Sequence, residues 1–226
     1  MSGESEKQKL TGAAMESCFR CSASLSQPLV CEDCGLLQTA PEQLNPFHAL
    51  GLEPAAEVDP TDLRRRQSRL SRRMHPDFFA AAGEQAKSQA ETNTAQLNSA
   101  FEVLFDETRR LGWLIEDGGG PSASEERQMP QEFLMEVLEW NETLEGAREG
   151  DTEALGRVPA LESELRDRLD AERAELRQTL TPLPSTGDDR YRSARRRLNA
   201  IRYLERALAE VAERRLESAR GKARPD

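Results

Sequence analysis

The chain has 226 residues, of which 37% are hydrophobic and 32% are charged, and its formal net charge is −10. An acidic chain neutralises phosphates poorly, which argues against a general nucleic-acid binder. No run approaches the ~18 apolar residues of a membrane span, and the N-terminus lacks a signal core and an Arg-rich transit pattern. We therefore expect a cytoplasmic protein without a membrane or nucleic-acid partner.

All four cysteines lie near the N-terminus in two C-x2-C pairs with nine residues between them: Cys18, Cys21, Cys31 and Cys34. Two pairs of this spacing can close a tetrahedral, structural zinc site. Gly35 can supply the positive φ that such turns often need. Because so small a unit needs a metal to fold, we predict a Zn2+ knuckle over residues 17–40, after a disordered tail at 1–16. Iron in the same sulfur cage, or a redox or incidental cysteine set, is the alternative.

Four helical segments are predicted next, at about 45–52, from Asp59-Pro60 to Pro76, at 83–104 and at 108–115. Asp59 and Pro60 fit the cap and first turn of the second helix, and Pro76 stops it. On the second helix, Leu63, Leu70 and Met74 lie on one face. On the third helix, the residues expected to face the core are Ala86, Ala90, Leu97, Phe101 and Leu104.

His75-Pro76-Asp77 follows a basic stretch, since residues 59–74 contain six arginines and two aspartates. Alone, the tripeptide also fits a helix end. A hydrolase interpretation of His75 with Asp77 lacks a nearby nucleophile. The turn between a basic helix and a longer one, behind a short helix with Phe47, matches a J-domain. The arginines are then a docking surface rather than only a solvated face.

Residues 118–124, Gly-Gly-Gly-Pro-Ser-Ala-Ser, have the composition of a flexible linker and mark the clearest boundary. Three helical patterns follow, at 131–148, at 152–180 with an interruption near Val158-Pro159, and from 188 to about 218. Three antiparallel helices in ~90 residues can share one core. The predicted division is a J-domain at 44–116, a linker at 117–129, a C-terminal helical domain at 130–217 and a frayed tail at 218–226.

The first pattern after the linker has two faces. One apolar stripe is assigned to the core: Phe133, Val137, Trp140 and Leu144. A second group projects partly outward: Leu134, Met135, Leu138, Glu139 and Glu142. An exposed apolar cluster edged by acids is typical of a protein-binding patch. A helix that buries all the apolar residues is the alternative, and the pattern alone leaves both open.

Together these segments resemble the HscB family of iron–sulfur cluster co-chaperones over residues 17 to about 215. The resemblance rests on Pro46-Phe-His-Ala-Leu-Gly-Leu52, Met74-His-Pro-Asp77, Leu97-Asn-Ser-Ala-Phe101 with Leu104, and Phe133-Leu-Met-Glu136. The cysteine pairs with Leu36-Leu37-Gln38 look like the zinc-binding extension of eukaryotic-type members. The resemblance implies an all-α fold: a J-domain plus a C-terminal three-helix bundle, preceded by a small four-cysteine zinc-ribbon-like knuckle.

The resemblance also implies two partners and no enzymatic group of the chain's own. A J-domain of this family docks on a DnaK/HscA-type chaperone and accelerates its ATP hydrolysis, and the C-terminal domain binds an IscU-type scaffold for cluster transfer. The implied chaperone-binding residues are His75, Pro76, Asp77, Arg65, Arg66, Arg69, Arg72 and Arg73. The implied scaffold-binding residues are Leu134, Met135, Leu138, Glu139, Glu142 and Tyr203.

Two residues depart from the family pattern: Phe78 stands where a basic residue is common, and Asn141 stands where arginine is frequent. The N-terminus argues against a mitochondrial member. The sequence does not decide whether the bundle forms a homodimer. The competing interpretations are a general J-domain protein that delivers unfolded clients, and a zinc-ribbon nucleic-acid module with a helical dimerisation arm.

Overall fold

The computed structural model describes residues 17–41 and 43–222, with side chains as far as residue 213. The predicted tail at 1–16 lies outside the described residues. Within the described part there are seven α-helices, one 3-10 helix, two isolated β-bridges and no strand, so the predicted all-α fold is confirmed. None of the helices in this part is long and apolar enough to cross a bilayer.

The chain divides into two compact units. The first contains the described residues up to Pro54 together with Val58–Phe105, and the second contains Ala55–Glu57 and the described residues from Asp106 onward. This division differs from the boundary expected at residues 116–117, because the helix that follows Phe105 belongs to the second unit. Asp106 caps that helix by accepting the Arg109 N–H at 2.9 Å.

The first unit contains the knuckle and α1 (Pro46–Ala49), α2 (Pro60–Arg73), a 3-10 helix (Pro76–Ala82) and α3 (Glu84–Phe105). Asn45 caps α1, with its side-chain oxygen 2.9 Å from the Phe47 nitrogen, and Asp59 caps α2 as the sequence predicts. The core is continuous across the three α-helices, and its largest members are fully buried: Phe47, Leu50, Leu63, Leu70, Met74, Leu97 and Leu104.

The second unit contains α4 (Glu107–Asp117), α5 (Gln131–Glu149), α6 (Thr152–Thr179) and α7 (Arg190–Lys222). The predicted interruption near Pro159 is wrong, because α6 continues through it. Proline removes only the N–H that would bond the carbonyl of Leu155, and both residues face solvent. The helical α7 also extends to Lys222, past the expected start of the frayed tail, and residues 223–226 lie outside the described part.

The glycine-rich segment is held within the second unit by specific contacts. Gly118 accepts the Gly187 N–H at 2.7 Å, and Pro121 accepts from Nε of Arg195 at 2.8 Å. A Cβ built on Gly118 would lie 2.1 Å from the ring of Tyr191, so a larger residue would force that ring to move. The composition that predicts a flexible linker therefore also serves close packing at this position.

Candidate functional site

The four cysteines lie on two tight turns that face each other. The first turn is closed by the Ser22 N–H on the Cys18 carbonyl at 2.8 Å, and the second by the Gly35 N–H on the Cys31 carbonyl at 2.9 Å. Gly35 has φ of +72°, as the sequence predicts. All four Sγ atoms lie within 4.8 Å of one another.

This geometry fits one tetrahedral ion. Zinc–sulfur bonds of about 2.3 Å would place the sulfurs about 3.8 Å apart, and the Cys18–Cys34 and Cys21–Cys31 Sγ pairs are at 3.5 and 3.6 Å. The backbone N–H of Cys21 lowers the pKa of the Cys18 thiol to about 6, whereas the pKa values of the Cys21 and Cys34 thiols are raised by burial and by their sulfur neighbours. The donor set is a four-sulfur centre with no open position, so the residues fit a structural metal. Zinc as its identity stays a prediction.

The knuckle is anchored to α3 by residues that the sequence analysis did not identify. Asn93, which is fully buried, donates through Nδ2 to the carbonyls of Leu29 at 2.7 Å and Gln38 at 2.8 Å. Gln27, buried beneath the same loop, accepts the Leu29 N–H at 2.7 Å. A signal was available, since Asn93 interrupts the apolar face of α3 between Ala90 and Leu97, and a polar residue there requires a buried partner.

The His-Pro-Asp tripeptide forms an exposed turn at the end of α2. His75 is 54% and Asp77 85% exposed at the side chain, and His75 Nδ1 accepts the Asp77 N–H at 3.3 Å. Pro76 begins the 3-10 helix. Phe78 is 73% exposed, with its ring edge-on to His75 at 5.9 Å between centroids. Three side chains of different chemistry are thus presented to solvent on one turn.

The arginines of α2 fall into different environments. Arg66 donates to Asp62 at 2.6 Å and to the carbonyl of Gly51 at 2.8 Å, so it joins α2 to the end of α1. Arg65 also pairs with Asp62 but remains largely exposed. The hydrogen bond from Arg66 is the main cause that lowers the pKa of Asp62. Arg66 therefore has a structural role in this unit, whichever partner the others bind.

The remaining three of the predicted docking arginines lie toward the tripeptide. Arg69 pairs with the carboxylate of Glu32 at 3.1 Å, and Arg73 donates to the Glu32 carbonyl, so both contact the knuckle. Arg72 is exposed. The structure brings the tripeptide and the basic helix together on one unit, as expected, but it adds an acidic knuckle residue to that surface.

An apolar patch lies on the outer face of α5. Leu134, Met135 and Leu138 are 44%, 68% and 58% exposed. Glu139 and Glu142 on the same helix are exposed as well. The opposite stripe is buried as predicted: Phe133, Val137, Trp140 and Leu144. The two faces of α5 are therefore separate, and the alternative in which the helix buries every apolar residue is wrong.

Tyr203 of α7 lies beside α5 and is half-buried. Its hydroxyl donates to Asn141 Oδ1 at 2.9 Å, and its ring meets that of Phe133 edge-on at 5.8 Å between centroids. Burial raises the pKa of Tyr203. Asn141, which stands where arginine is frequent in the family, therefore accepts a hydrogen bond from Tyr203.

These features define an all-helical protein in which one unit carries an exposed His-Pro-Asp turn behind a basic helix and the other carries an exposed apolar patch. A family model described as the HSCB C-terminal oligomerisation domain matches residues 129–212. A curated relative, the co-chaperone protein HscB homolog of Neisseria meningitidis, is 30% identical over 168 residues, which cover 74% of this chain and 96% of the relative. The homolog from Bordetella pertussis is 29% identical and covers 74% of this chain and 93% of its own length.

Two solved structures have a similar fold. The crystal structure of human co-chaperone protein HscB superposes with a TM-score of 0.70 at 21% identity, covering 89% of this chain and 99% of the human one. The chaperone HscB from Vibrio cholerae gives a TM-score of 0.61 at 25% identity and covers 78% and 99% of the two chains. The chain belongs to the HscB family of co-chaperones.

Proposed function

We propose that this co-chaperone stimulates the ATPase of a DnaK/HscA-type chaperone and delivers an IscU-type iron–sulfur scaffold to it for cluster transfer. The observation that supports the proposal most is the separation of two exposed surfaces of different chemistry on two compact units. One is the turn with His75 and Asp77, and the other is the apolar patch of Leu134, Met135 and Leu138. A protein with one binding task has no need of both.

The chaperone would dock on the His-Pro-Asp turn and the basic face of α2. Arg65, Arg69, Arg72 and Arg73 are the cations available to an acidic surface, while Arg66 would hold the helix in place. Docking that is tighter on the hydrolysis-competent state of the chaperone shifts its population toward that state. The chain contributes no catalytic group to ATP in this scheme, and it acts as an activator rather than as an enzyme.

The scaffold would bind the patch of α5, with Leu134, Met135 and Leu138 as apolar anchors and Glu139 and Glu142 as the polar rim. Tyr203 would contact the scaffold from the neighbouring helix through its accessible part. A chain that holds both partners raises the concentration of the scaffold at the peptide site of the chaperone. Hydrolysis then locks the chaperone onto the scaffold, which promotes release of the cluster to acceptors.

Steady-state ATP hydrolysis by the chaperone tests the proposal, with and without the scaffold. We expect synergistic stimulation by the scaffold and this protein, and we expect His75→Gln to remove it. The matched control is His48→Gln at the chain's other histidine, which lies in α1. Stimulation that ignores the scaffold would instead indicate a general J-domain protein. No stimulation in any mixture would mean that the tripeptide is only a helix end.

A further inference from the structure

The knuckle and the basic helix of the first unit are connected through one short turn. That turn runs from Cys31 to Cys34, so its backbone is fixed at both ends by two of the four clustered sulfurs. Glu32 lies inside it. Any metal held by the cysteines therefore sets the position of Glu32.

Glu32 makes two contacts with α2. Its carboxylate lies 3.1 Å from an Nη of Arg69, and its carbonyl accepts a hydrogen bond from Arg73. The side chains of Arg69 and Glu32 are 49% and 26% exposed, so a partner can reach the arginine although the paired Glu32 oxygen is buried. The Glu32 carboxylate neutralises the positive charge of Arg69, and the Glu32 carbonyl orients Arg73. Arg73 is the last residue of α2, which leads into the His-Pro-Asp turn.

A second contact fixes the knuckle to α3. Asn93 donates both hydrogens of its amide to the knuckle, to the carbonyls of Leu29 and Gln38, which flank the second cysteine pair. Its oxygen accepts from Gln89 at 2.7 Å. Both hydrogen bonds that this buried amide donates depend on a folded knuckle, and a unit of ~25 residues folds only while its metal is bound.

We propose that the metal-loaded knuckle is a brake on chaperone docking: it holds Glu32 against Arg69 and Arg73 and lowers the affinity of the basic face for an acidic partner. Loss of the metal, or of the Glu32 carboxylate, frees this part of the face. The inference rests on the proposed function, since it assigns regulation to the same docking surface. Its physical basis is that the partner must first break the Glu32–Arg69 pair before it can bind Arg69. The attraction between Glu32 and Arg69 is therefore subtracted from the free energy of docking.

The decisive comparison uses two neighbouring substitutions with the same change in charge. Glu32→Gln removes the carboxylate that pairs with Arg69, whereas Asp33→Asn alters an exposed carboxylate in the same turn. The dissociation constant for the chaperone would be measured by calorimetry on the zinc-loaded full chain, with circular dichroism to confirm the fold. We expect Glu32→Gln to tighten binding about two- to five-fold, the range that a partly exposed ion pair can supply. Asp33→Asn should change the dissociation constant by less than half as much, because the Asp33 carboxylate acts on the arginines only through a longer-range interaction that salt screens.

Metal removal supplies the second arm. Stripping the ion with a chelator should tighten binding by the wild type and have a smaller effect on Glu32→Gln, since both changes release the same pair. Equal affinities of the two substituted proteins would overturn the inference. Weaker binding by Glu32→Gln would also overturn it, because Glu32 would then position the arginines for docking. Failure of the wild type to bind the chaperone in any state would overturn the proposed function and this inference with it.

Discussion

The two compact units differ in what they expose. The first presents a charged turn and a basic helix, with His75 and Asp77 more than half exposed. The second presents three apolar side chains on α5, exposed by 44% to 68%. The first surface can act mainly through charge, and the second mainly through apolar area. Under the proposed function the two partners would bind surfaces of different chemistry, so that each binding event would have its own sensitivity to salt and to mutation.

The interiors differ in the same sense. The first unit buries a neutral amide, Asn93, and uses it to hold the knuckle. The second buries charges: Arg195 is fully buried at the side chain and pairs with Glu116 at 2.6 Å. Glu172, also buried, pairs with Arg168 at 3.1 Å and Arg197 at 2.9 Å. A charged interior imposes specific pairings, but it is sensitive to mutation. Removal of one partner leaves the other polar groups buried without a hydrogen-bond partner, which destabilises the fold.

The largest expected effect comes from Arg195→Ala. The substitution removes a buried guanidinium that bonds Glu116, the Pro121 carbonyl and the Gly112 carbonyl, and it leaves a cavity. We expect the free energy of unfolding to fall by about 3–5 kcal/mol. Denaturant titration followed by circular dichroism measures it. Arg206→Ala, at an exposed site on the same helix, is the control and should cost less than about 1 kcal/mol. Similar costs at both sites would contradict the view of a charged interior.

The next largest effect is expected at the apolar patch. Replacement of Leu134, Met135 and Leu138 together by serine should weaken scaffold binding at least 100-fold, since central apolar anchors contribute about 1–2 kcal/mol each. Calorimetry with the scaffold measures the affinity, and chaperone binding should not change. Leu155→Ser is the control, because Leu155 is 41% exposed but lies on α6. A comparable loss of affinity at Leu155 would show that α5 does not define the binding face.

In the first unit, Asn93→Ala should have a smaller effect on stability than Arg195→Ala has in the second. It removes three hydrogen bonds of a neutral group, two to the knuckle and one from Gln89, and we expect a loss of about 1–3 kcal/mol of unfolding free energy. The loss should shrink once a chelator has removed the metal, because the knuckle carbonyls that Asn93 binds are then no longer in place. Asn98→Ala, at an exposed position on α3, is the control. A loss that is unchanged by the chelator would mean that Asn93 acts within α3 alone.

Salt should separate the two binding events. Raising the ionic strength should weaken chaperone binding several-fold and affect scaffold binding much less, because the first rests mainly on exposed charges and the second mainly on apolar area. Arg72→Gln should lower the slope of chaperone affinity against salt, since it removes one exposed cation beside the tripeptide. Titrations at low and high salt measure both. Equal salt dependence for the two partners would contradict the chemical separation of the two surfaces.

Helical periodicity predicted the buried faces of α2 and α5 correctly and that of α3 in part, since Ala86 and Phe101, which were expected to face inward, are only partly buried. A 3.6-residue repeat places Leu63, Leu70 and Met74 on one side, and all three are buried. The same argument separates Phe133 and Trp140 from the exposed Leu134 on α5. Capping and turn chemistry fixed the start of α2 and the positive φ of Gly35. These features are local, so a short stretch of sequence contains all the information that they need.

Features that depend on distant residues were not predictable. The glycine-rich segment has the composition of a linker, yet Arg195, which is 74 residues beyond Pro121, donates to it. The knuckle contact is similar, because 64 residues separate Asn93 from Leu29. Pro159 fits a helix only because the carbonyl it frees lies on the solvent side. In each case the local composition predicts a tendency of the segment. The structure it adopts depends on its surroundings in the fold, which the spacing of residues in the sequence does not reveal.

The smallest expected effect concerns the buried carboxylate of Glu126, and it probes the charged interior by pH. The N–H of Gln128 is the main cause that lowers the Glu126 pKa, and Arg196, at 3.1 Å, lowers it further. A carboxyl whose pKa is lower in the folded state adds stability above its ordinary value of 4.5 and loses that contribution as the pH falls through the folded value. Glu126→Gln should therefore melt below the wild type at pH 7, and the gap should close on acidification. A gap that stays constant from neutral to acidic pH would mean that packing, rather than charge, holds this residue.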